Sequence, residues 1–319
     1  MPSGAAGEPV ETRTLVVGAA QHGQRLDKVL VAMAPEFSRS YLQQLLARGH
    51  VALAPARARP SAAQHVRAGE RIALELVATD ESRAFRPEAM VLRVVYEDEQ
   101  VLVIDKPAGV VVHPAAGHWS GTLLNGLLAH HANAATLPRA GIVHRLDKDT
   151  SGLMVVGKTL AAVTALVRAI AARQVQRRYL ALAQGVPREV SFTVEAPIGR
   201  DPRSRVRMAV VAVAAGGRPA RTDVRLVAAA GGFSALHCTL HSGRTHQIRV
   251  HLASRGLPLV ADALYGGRPA LDLERQALHA WRLTFVHPIT GRALEFTRAP
   301  PEDFARAWTQ VAGVTMPAD

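Results

Sequence analysis

Residues 144–152 of the 319-residue chain read His144-Arg145-Leu146-Asp147-Lys148-Asp149-Thr150-Ser151-Gly152. This charged segment lies between two short apolar runs, Gly141-Ile142-Val143 and Leu153-Met154-Val155-Val156, and is predicted to be a loop between strands. Loops held by a rigid scaffold are a common position for catalytic side chains. Taken alone, the segment also fits an ordinary charged turn that Gly152 closes at positive φ.

A second polar segment reads Leu240-His241-Ser242-Gly243-Arg244-Thr245-His246-Gln247-Ile248-Arg249-Val250-His251. Its histidines recur every five residues, at 241, 246 and 251, a spacing that matches neither one face of a helix nor one face of a strand. No cysteine or carboxylate cluster accompanies them, so the segment does not predict a metal site. By itself it is equally typical of a solvated basic surface.

A third segment, Gln176-Arg177-Arg178-Tyr179, follows a predicted helix over 160–172 and begins a region to about residue 250 in which strands are predicted to dominate. Together, and in their order along the chain, the three segments resemble those of the RluA-type RNA pseudouridine synthases. Further matches are Lys106-Pro107-Ala108-Gly109, His113-Pro114, Gly121-Thr122-Leu123-Leu124-Asn125, the run Gly256 to Asp262, Tyr265-Gly266 and Leu278-His279-Ala280. The resemblance covers residues 91–299 in collinear order and is therefore more specific than any single motif.

This resemblance implies an α+β fold, the pseudouridine synthase fold, with a mixed, largely antiparallel central sheet flanked by helices and loops. It also implies an isomerase that breaks the bond between ribose and uracil nitrogen, rotates the uracil and rejoins it through carbon 5. No group is transferred to or from outside, so no cofactor is expected. The resemblance assigns the essential carboxylate to Asp147, either as a nucleophile or as a base toward the sugar.

Three further residues receive roles from the resemblance. Arg249 is expected to pair with Asp147 and to stabilise its ionised form, and we expect this pair to be largely buried. Tyr179 is expected to stack on the target uracil and to help move a proton. Arg145 is the candidate for filling the space that the target base leaves when it flips out of the RNA stack.

The N-terminal part resembles a small ribosomal-protein-like RNA-binding module of the alpha-L type. It carries Arg25-Leu26-Asp27-Lys28, Ser38-Arg39-Ser40-Tyr41-Leu42 and Val66-Arg67-Ala68-Gly69-Glu70. Ser38 is predicted to cap a helix over 39–48 that Gly49 ends. Where the module usually has an Asn-Gly turn, this chain has Leu53-Ala54-Pro55-Ala56-Arg57, which predicts a longer hairpin.

The predicted boundaries follow from these segments. Residues 1–17 are expected to be a flexible tail, 18–80 the RNA-binding module, 81–90 a linker and 91–319 the catalytic domain. The 38 Lys and Arg residues against 26 Asp and Glu give a formal charge of +12, which favours a polyanionic partner.

The expected partner is RNA, by resemblance large-subunit ribosomal RNA or its precursor. We found no secretory signal and no run of about 18 apolar residues, so membrane association is not expected. The single cysteine, Cys238, excludes an internal disulfide. We expect a cytoplasmic monomer without a bound metal.

Three alternatives remain at the level of sequence. The chain could be a non-catalytic RNA-binding or ribosome-assembly protein with the same fold, although the intact set of Asp147, Tyr179 and Arg249 favours an enzyme. It could be a synthase that acts on transfer RNA. It could also be a metal-dependent hydrolase that uses the histidines around His246.

Overall fold

The computed structural model describes residues 11–55, 60–77, 84–115, 117–204 and 206–314, with Ser40 described only in its backbone. The chain divides into two compact units, residues 1–84 and 85–319. This division lies within the segment 81–90 for which the sequence predicts a linker, although residues 81–83 are outside the described ranges.

The first unit is a three-stranded antiparallel sheet with two helices, and its strand order is β1-β3-β2. Its elements are β1 (Glu11–Val16), α1 (Leu26–Met33), α2 (Arg39–Arg48), β2 (Val51–Ala54) and β3 (Arg71–Leu76). Leu30 and Leu45 from the helices and Ile72 from the central strand are fully buried in one core. This burial explains why the unit folds as one compact body.

Helix α2 begins and ends as the sequence predicts. The Ser38 hydroxyl accepts a hydrogen bond from the Tyr41 N–H, and Gly49 takes the left-handed conformation at φ 89°. Asp27 at the start of α1 is 1% exposed and is paired with Arg25 and Arg39, so these guanidinium groups hold the pKa of its carboxyl well below its usual range.

The predicted flexible tail over 1–17 is wrong for its last part. Residues Glu11–Val16 form β1, which pairs with β3 from Glu11↔Leu76 to Val16↔Arg71. The strand contributes few buried side chains, so the hydrophobic pattern does not reveal it, and backbone hydrogen bonds to β3 hold it in place. Residues 1–10 are outside the described ranges.

The longer hairpin predicted at Leu53-Ala54-Pro55 is confirmed. Ala54 is the last residue of β2 that pairs with β3, and its partner is Arg71. Residues 55–70 therefore connect the two strands in place of a tight turn. Residues 56–59 of this connection, including Arg57, are outside the described ranges.

The second unit contains a nine-stranded sheet, a two-stranded ribbon and four α-helices among the described residues. Its elements are β4 (Val94–Glu97), β5 (Val101–Lys106), α3 (Leu123–His130), β6 (Ser151–Gly157), α4 (Leu160–Ala171), β7 (Gln176–Gln184), β8 (Ser191–Glu195), β9 (Ile198–Arg200), β10 (Met208–Val210), β11 (Arg221–Ala230), β12 (Phe233–Leu240), α5 (Gln247–Ser254), β13 (Leu278–Val286), β14 (Ala293–Thr297) and α6 (Glu302–Ala312). β9 and β10 form the ribbon.

The strand order of the large sheet is β4-β5-β6-β13-β7-β12-β11-β8, with β14 paired to β13. Among the described strand pairs of this sheet, β6–β13 is parallel and the others are antiparallel. The α+β class and the mixed, largely antiparallel sheet predicted from the sequence are confirmed.

Alternating side chains of the strands pack on opposite faces of this sheet. On β7, Tyr179 and Ala181 face a core that includes Leu252 of α5, whereas Leu180 and Leu182 face a core that includes Trp308 of α6. Helices therefore cover both faces.

The predicted strand dominance up to residue 250 is wrong at its end. Residues Gln247–Ser254 form helix α5, which places Arg249 on a helix. Ile248, Val250 and Leu252 alternate as in a strand, but the neighbouring residues of this helix are buried too. The polar side chains of Gln247, Arg249 and His251 are buried together with the apolar ones, so the helical period of polar and apolar residues is lost from the sequence.

No helix in the part of the chain that the structure describes is both long enough and apolar enough to cross a membrane.

Candidate active site

A buried lysine fixes the backbone of the segment that carries Asp147. Lys106, the last residue of β5, is 1% exposed, and its ammonium donates hydrogen bonds to the carbonyl oxygens of Pro107, Val110 and Lys148 at 2.8–2.9 Å. The Gly109 N–H donates to the same Lys148 carbonyl at 2.9 Å. Three donors meet three acceptors, so each N–H of the protonated ammonium has a partner. The lysine thereby fixes the backbone at Lys148, the residue directly after Asp147.

The next two residues of the loop, Asp149 and Thr150, are held by side chains that precede β13. Arg275 donates to the Asp149 carbonyl at 3.1 Å and forms a two-pronged pair with Asp303. The Gln276 amide donates to the Thr150 hydroxyl at 3.0 Å. Side chains that are distant in sequence therefore fix three consecutive residues of the loop, Lys148 to Thr150, directly after Asp147.

Gly152 allows the loop to run directly into the sheet. It has φ +114°, and a Cβ at this position would lie 2.2 Å from the carbonyl oxygen of Ala280 on β13. Only glycine permits this conformation and this close approach of the two parallel strands. The glycine at the end of the charged segment is thus required by the sheet as well as by the turn.

Arg249 on α5 binds two carboxylates. Its Nε and Nη2 donate to Asp262 at 2.8 Å each, and its Nη1 donates to Asp147 at 3.1 Å. The side chains of Arg249 and Asp262 are 7% and 1% exposed, whereas that of Asp147 is 15% exposed. These two anions raise the pKa of Arg249 above its ordinary value against the effect of burial.

The Asp147–Arg249 pair expected from the sequence is therefore present, but the buried partner of Arg249 is Asp262. Asp262 was noted in the sequence only as part of a matching run, and no local pattern identifies its partner. Asp147 takes one hydrogen bond from Arg249 and keeps part of its carboxylate open to the adjoining cavity.

A histidine and a tyrosine lie on the other side of Asp147. The His246 Nε2 is 3.9 Å from an Asp147 oxygen, and its Nδ1 is 2.8 Å from the Tyr265 hydroxyl. That hydroxyl also accepts a hydrogen bond from the Met208 N–H at 3.0 Å. The Arg249 guanidinium lies over the Tyr265 ring at 4.9 Å from its centre. His246 and Tyr265 therefore add to the contacts that position Asp147 and Arg249.

Tyr179 on β7 is 4% exposed and is part of the lining of the same cavity. Its hydroxyl makes no hydrogen bond to any residue that the structure describes. Burial raises the pKa of Tyr179 to about 12. At neutral pH the hydroxyl is therefore protonated and can donate a hydrogen bond to a bound molecule.

These side chains line a cavity of about 840 Å³. Asp147 is the one carboxylate among the described residues that line it. The basic side chains that line it are Arg139, Arg145, Arg173, Arg177, Arg244 and Arg249. Arg145 is exposed and makes no ion pair within the described ranges. A single anion in such a basic cavity suits a polyanionic ligand.

The three histidines of the second segment have separate partners. His241 bonds to Asp223, His246 to Tyr265, and His251 to the Thr222 hydroxyl. Within the described residues no group of three or more His, Cys, Asp or Glu side chains could hold a metal ion. The geometry therefore gives no support to the metal-dependent hydrolase that the sequence left open.

The structure brings Asp147, Tyr179, Arg249 and Arg145 to one cavity from three separate segments of the chain. Sequence reasoning did not identify Asp262 or Tyr265 as parts of this site. It named Lys106 only within a matching motif. The signal that could have found these residues is their presence in the matching runs, since nothing in their local pattern distinguishes them.

Comparisons with known proteins agree on one family. Residues 100–254 match the family model described as RNA pseudouridylate synthase. The ribosomal large subunit pseudouridine synthase D of Neisseria meningitidis serogroup B is 47% identical over 294 residues, which are 88% of this chain and 77% of that protein. The protein of the same name from Xanthomonas campestris pv. campestris is 46% identical over 314 residues, 94% and 93% of the two chains.

A solved structure is also similar. The human RNA pseudouridylate synthase domain containing 1 has 26% sequence identity and a TM-score of 0.52, over 71% of this chain and 86% of that chain. A second human structure, RNA pseudouridylate synthase domain containing 4, has 21% identity and a TM-score of 0.55, over 70% of this chain and 94% of that chain. At 21% identity, this second similarity is evidence for the fold alone.

Replacing Arg249 with alanine is expected to lower the free energy of unfolding by about 3–5 kcal/mol, because it strands Asp262 as a buried unpaired charge. Asp147→Asn is the matched control and is expected to cost about 1 kcal/mol, since Arg249 keeps Asp262. Urea unfolding followed by tryptophan fluorescence measures both, because all three tryptophans lie in the second unit. Equal losses in the two variants would contradict Asp262 as the main partner.

Because of Lys106, the free energy of unfolding is expected to rise with pH in the alkaline range. Burial lowers the pKa of Lys106 to about 8, below its ordinary value of 10.5. Between these values the unfolded chain binds the proton and the native protein does not, so stability rises with pH. Relative to Lys106→Met, the wild type is expected to gain about 3 kcal/mol from pH 8 to 10.5. Paired urea titrations measure this difference, and a difference independent of pH would show that Lys106 titrates as an exposed lysine.

Proposed function

The chain belongs to the RluA-type RNA pseudouridine synthases and is an isomerase that converts uridine in RNA to pseudouridine; we propose that it acts on large-subunit ribosomal RNA through Asp147. The observation that carries this proposal is the position of Asp147 as the one carboxylate among the described residues of an arginine-rich cavity. The names of the relatives at 46–47% identity support the ribosomal substrate.

The reaction needs a carboxylate that can reach the sugar of the target uridine. Asp147 suits this role because one oxygen accepts the Arg249 hydrogen bond while the side chain remains 15% exposed toward the cavity. The guanidinium stabilises the negative charge that both candidate mechanisms require, nucleophilic attack on the sugar or removal of a sugar proton. The loop contacts of Lys106 and Arg275 keep this carboxylate from moving away when RNA binds.

Tyr179 provides the surface for the uracil in this proposal. Its ring is part of the cavity lining, and base–aromatic stacking contributes about 1–3 kcal/mol. Because its pKa is raised to about 12, the hydroxyl acts as a donor and not as a base at neutral pH. In this proposal it can therefore donate a hydrogen bond to a uracil carbonyl.

Arg145 is the residue that we assign to base flipping. It is exposed, lines the cavity and lies two residues before Asp147. A uridine in a folded RNA reaches the cavity only after leaving the stack, which costs a few kcal/mol. A planar guanidinium with no ion pair among the described residues can stack in the space left behind and bind phosphate as well.

The first unit is part of the proposal as an RNA-binding module. The role assigned to residues 18–80 now includes β1, since this strand is part of the same sheet. A separate RNA-binding unit suits a large, structured substrate such as ribosomal RNA. A cytoplasmic location and a monomeric state complete the proposal.

The expected result of Asp147→Asn is complete loss of pseudouridine formation. Cells that lack the gene are complemented with the wild type, Asp147→Asn or the neighbouring control Asp149→Asn, and pseudouridines are mapped by chemical adducts and reverse-transcription stops. The wild type and the control restore stops in large-subunit ribosomal RNA, and Asp147→Asn does not. Restored stops in transfer RNA alone would overturn the ribosomal substrate, and restoration by Asp147→Asn would overturn the catalytic role.

Arg145→Ala is expected to slow turnover of a structured stem–loop at least tenfold more than turnover of an unstructured oligonucleotide. The reason is that only the stem–loop must be unstacked. Arg139→Asn is a suitable control, because Arg139 is an exposed arginine of the same cavity at φ 53°, which asparagine tolerates. Tritium release from RNA labelled at uracil carbon 5 measures both rates. Equal losses on the two RNAs for Arg145→Ala would remove the flipping role.

A further inference from the structure

A second buried arginine lines the cavity, and the proposed chemistry leaves it without a role. Arg177 lies on β7, two residues before Tyr179, so both side chains project from the same face of the strand. Both residues line the cavity, and Arg177 is 5% exposed. A guanidinium at this depth has lost most of its hydration.

Among the described residues, Arg177 has no partner that compensates its charge. Its Nε is closed to solvent and makes no hydrogen bond, and the side chain forms no ion pair with any residue that the structure describes. Arg249 in the same cavity is also buried, but it binds two carboxylates through three hydrogen bonds. An unpaired buried charge is costly, so the position of Arg177 needs an explanation other than stability.

The groups around Arg177 are neutral. His144 accepts a hydrogen bond on Nε2 from the Val155 N–H, and burial lowers the pKa of His144 to about 3. Tyr179 is protonated at neutral pH, because its pKa is raised to about 12. Burial lowers the pKa of Arg177 itself, but a guanidinium remains charged in proteins. The free protein therefore carries an uncompensated positive charge at this point of the cavity.

The chain leaves space for this guanidinium. Gly243, in the loop after β12, also lines the cavity, and a Cβ there would lie 2.8 Å from Nη1 of Arg177. Any side chain at position 243 would displace the end of Arg177. The glycine of the second polar segment thus sets the position of a cation on a different strand.

We propose that Arg177 binds a phosphate group of the RNA strand that enters the cavity, next to the nucleotide whose uracil lies on Tyr179. This inference rests on the proposed function, since it takes the uracil position from it. A phosphate is favoured over a uracil carbonyl because a neutral carbonyl would leave the buried charge uncompensated, whereas an anion pairs with it through charge-assisted hydrogen bonds.

The first test is the stability of the free protein. Arg177→Met removes an unpaired buried charge, so its melting temperature is expected to equal or exceed that of the wild type. The control is Arg178→Met, which removes the same charge from the next residue of β7, outside the cavity lining. A melting temperature for Arg177→Met well below both would mean that Arg177 is a structural cation and would overturn the proposal.

The second test measures the phosphate contact through salt. The affinity of each variant for deproteinised large-subunit ribosomal RNA is measured over a range of salt concentrations. Arg177→Met is expected to bind about 10–100-fold more weakly. The slope of log affinity against log salt is expected to fall by about 0.7–0.9, as for one lost phosphate contact. Weaker binding with an unchanged slope would show a contact to a neutral group.

Gly243→Ala provides a variant that keeps Arg177 and moves its guanidinium. It is expected to lower the salt slope as Arg177→Met does, and to have little further effect in the Arg177→Met background. If Arg177→Met does not fold, an unchanged slope in Gly243→Ala overturns the proposal.

A third measurement separates this inference from the proposed function. Uridine 3′,5′-bisphosphate, which carries both phosphates that flank a nucleotide, is expected to raise the melting temperature of the wild type more than uridine at equal concentration, and Arg177→Met is expected to abolish the difference. This arm needs neither ribosomal RNA nor turnover. If it succeeds while the wild type forms no pseudouridine in ribosomal RNA, the proposed function fails and the phosphate contact stands. Equal shifts by the two compounds in the wild type would overturn the contact.

Discussion

The guanidinium of Arg249 is the group on which the site depends. It binds Asp262 through two hydrogen bonds at 2.8 Å and Asp147 through one at 3.1 Å. The guanidinium therefore lies between the two carboxylates and donates hydrogen bonds to both. The buried Asp262 fixes the position of Arg249, and Arg249 in turn fixes the more exposed Asp147. The carboxylate proposed to react, Asp147, can therefore meet a substrate while Arg249 stays bound to Asp262.

The rest of the loop is fixed by groups that are satisfied within the protein. Lys106 uses all three donors of its ammonium on backbone carbonyls, and Arg275 joins the loop to Asp303. Such networks are rigid because breaking any one bond leaves a buried polar group without a partner. The catalytic chemistry proposed for Asp147 needs this rigidity, since an open and mobile carboxylate would not keep one distance to the sugar.

Arg249 and Arg177 show two different uses of a buried arginine in one cavity. Arg249 is saturated by carboxylates of its own chain and belongs to the permanent structure. Arg177 has neutral neighbours and leaves its charge to be compensated by a ligand. The free protein tolerates this cost because function and stability place different demands on the same residues. A polyanionic substrate relieves the cost when it binds, which couples recognition of the RNA strand to the position of the base.

The local features and the family could be predicted from the amino-acid sequence alone. Ser38 and Gly49 mark the ends of one helix through short-range hydrogen bonds and backbone conformation, and the collinear motifs around Asp147 identify the fold. The strand β1 and the helix α5 were not predictable, because one is held mainly by backbone pairing and the other buries polar as well as apolar side chains. The pairing of Arg249 with Asp262, and the lack of an ion pair for Arg177 among the described residues, became apparent only in three dimensions. Such pairings depend on distances between segments far apart in the chain, and neither hydrophobic period nor local propensity records those distances.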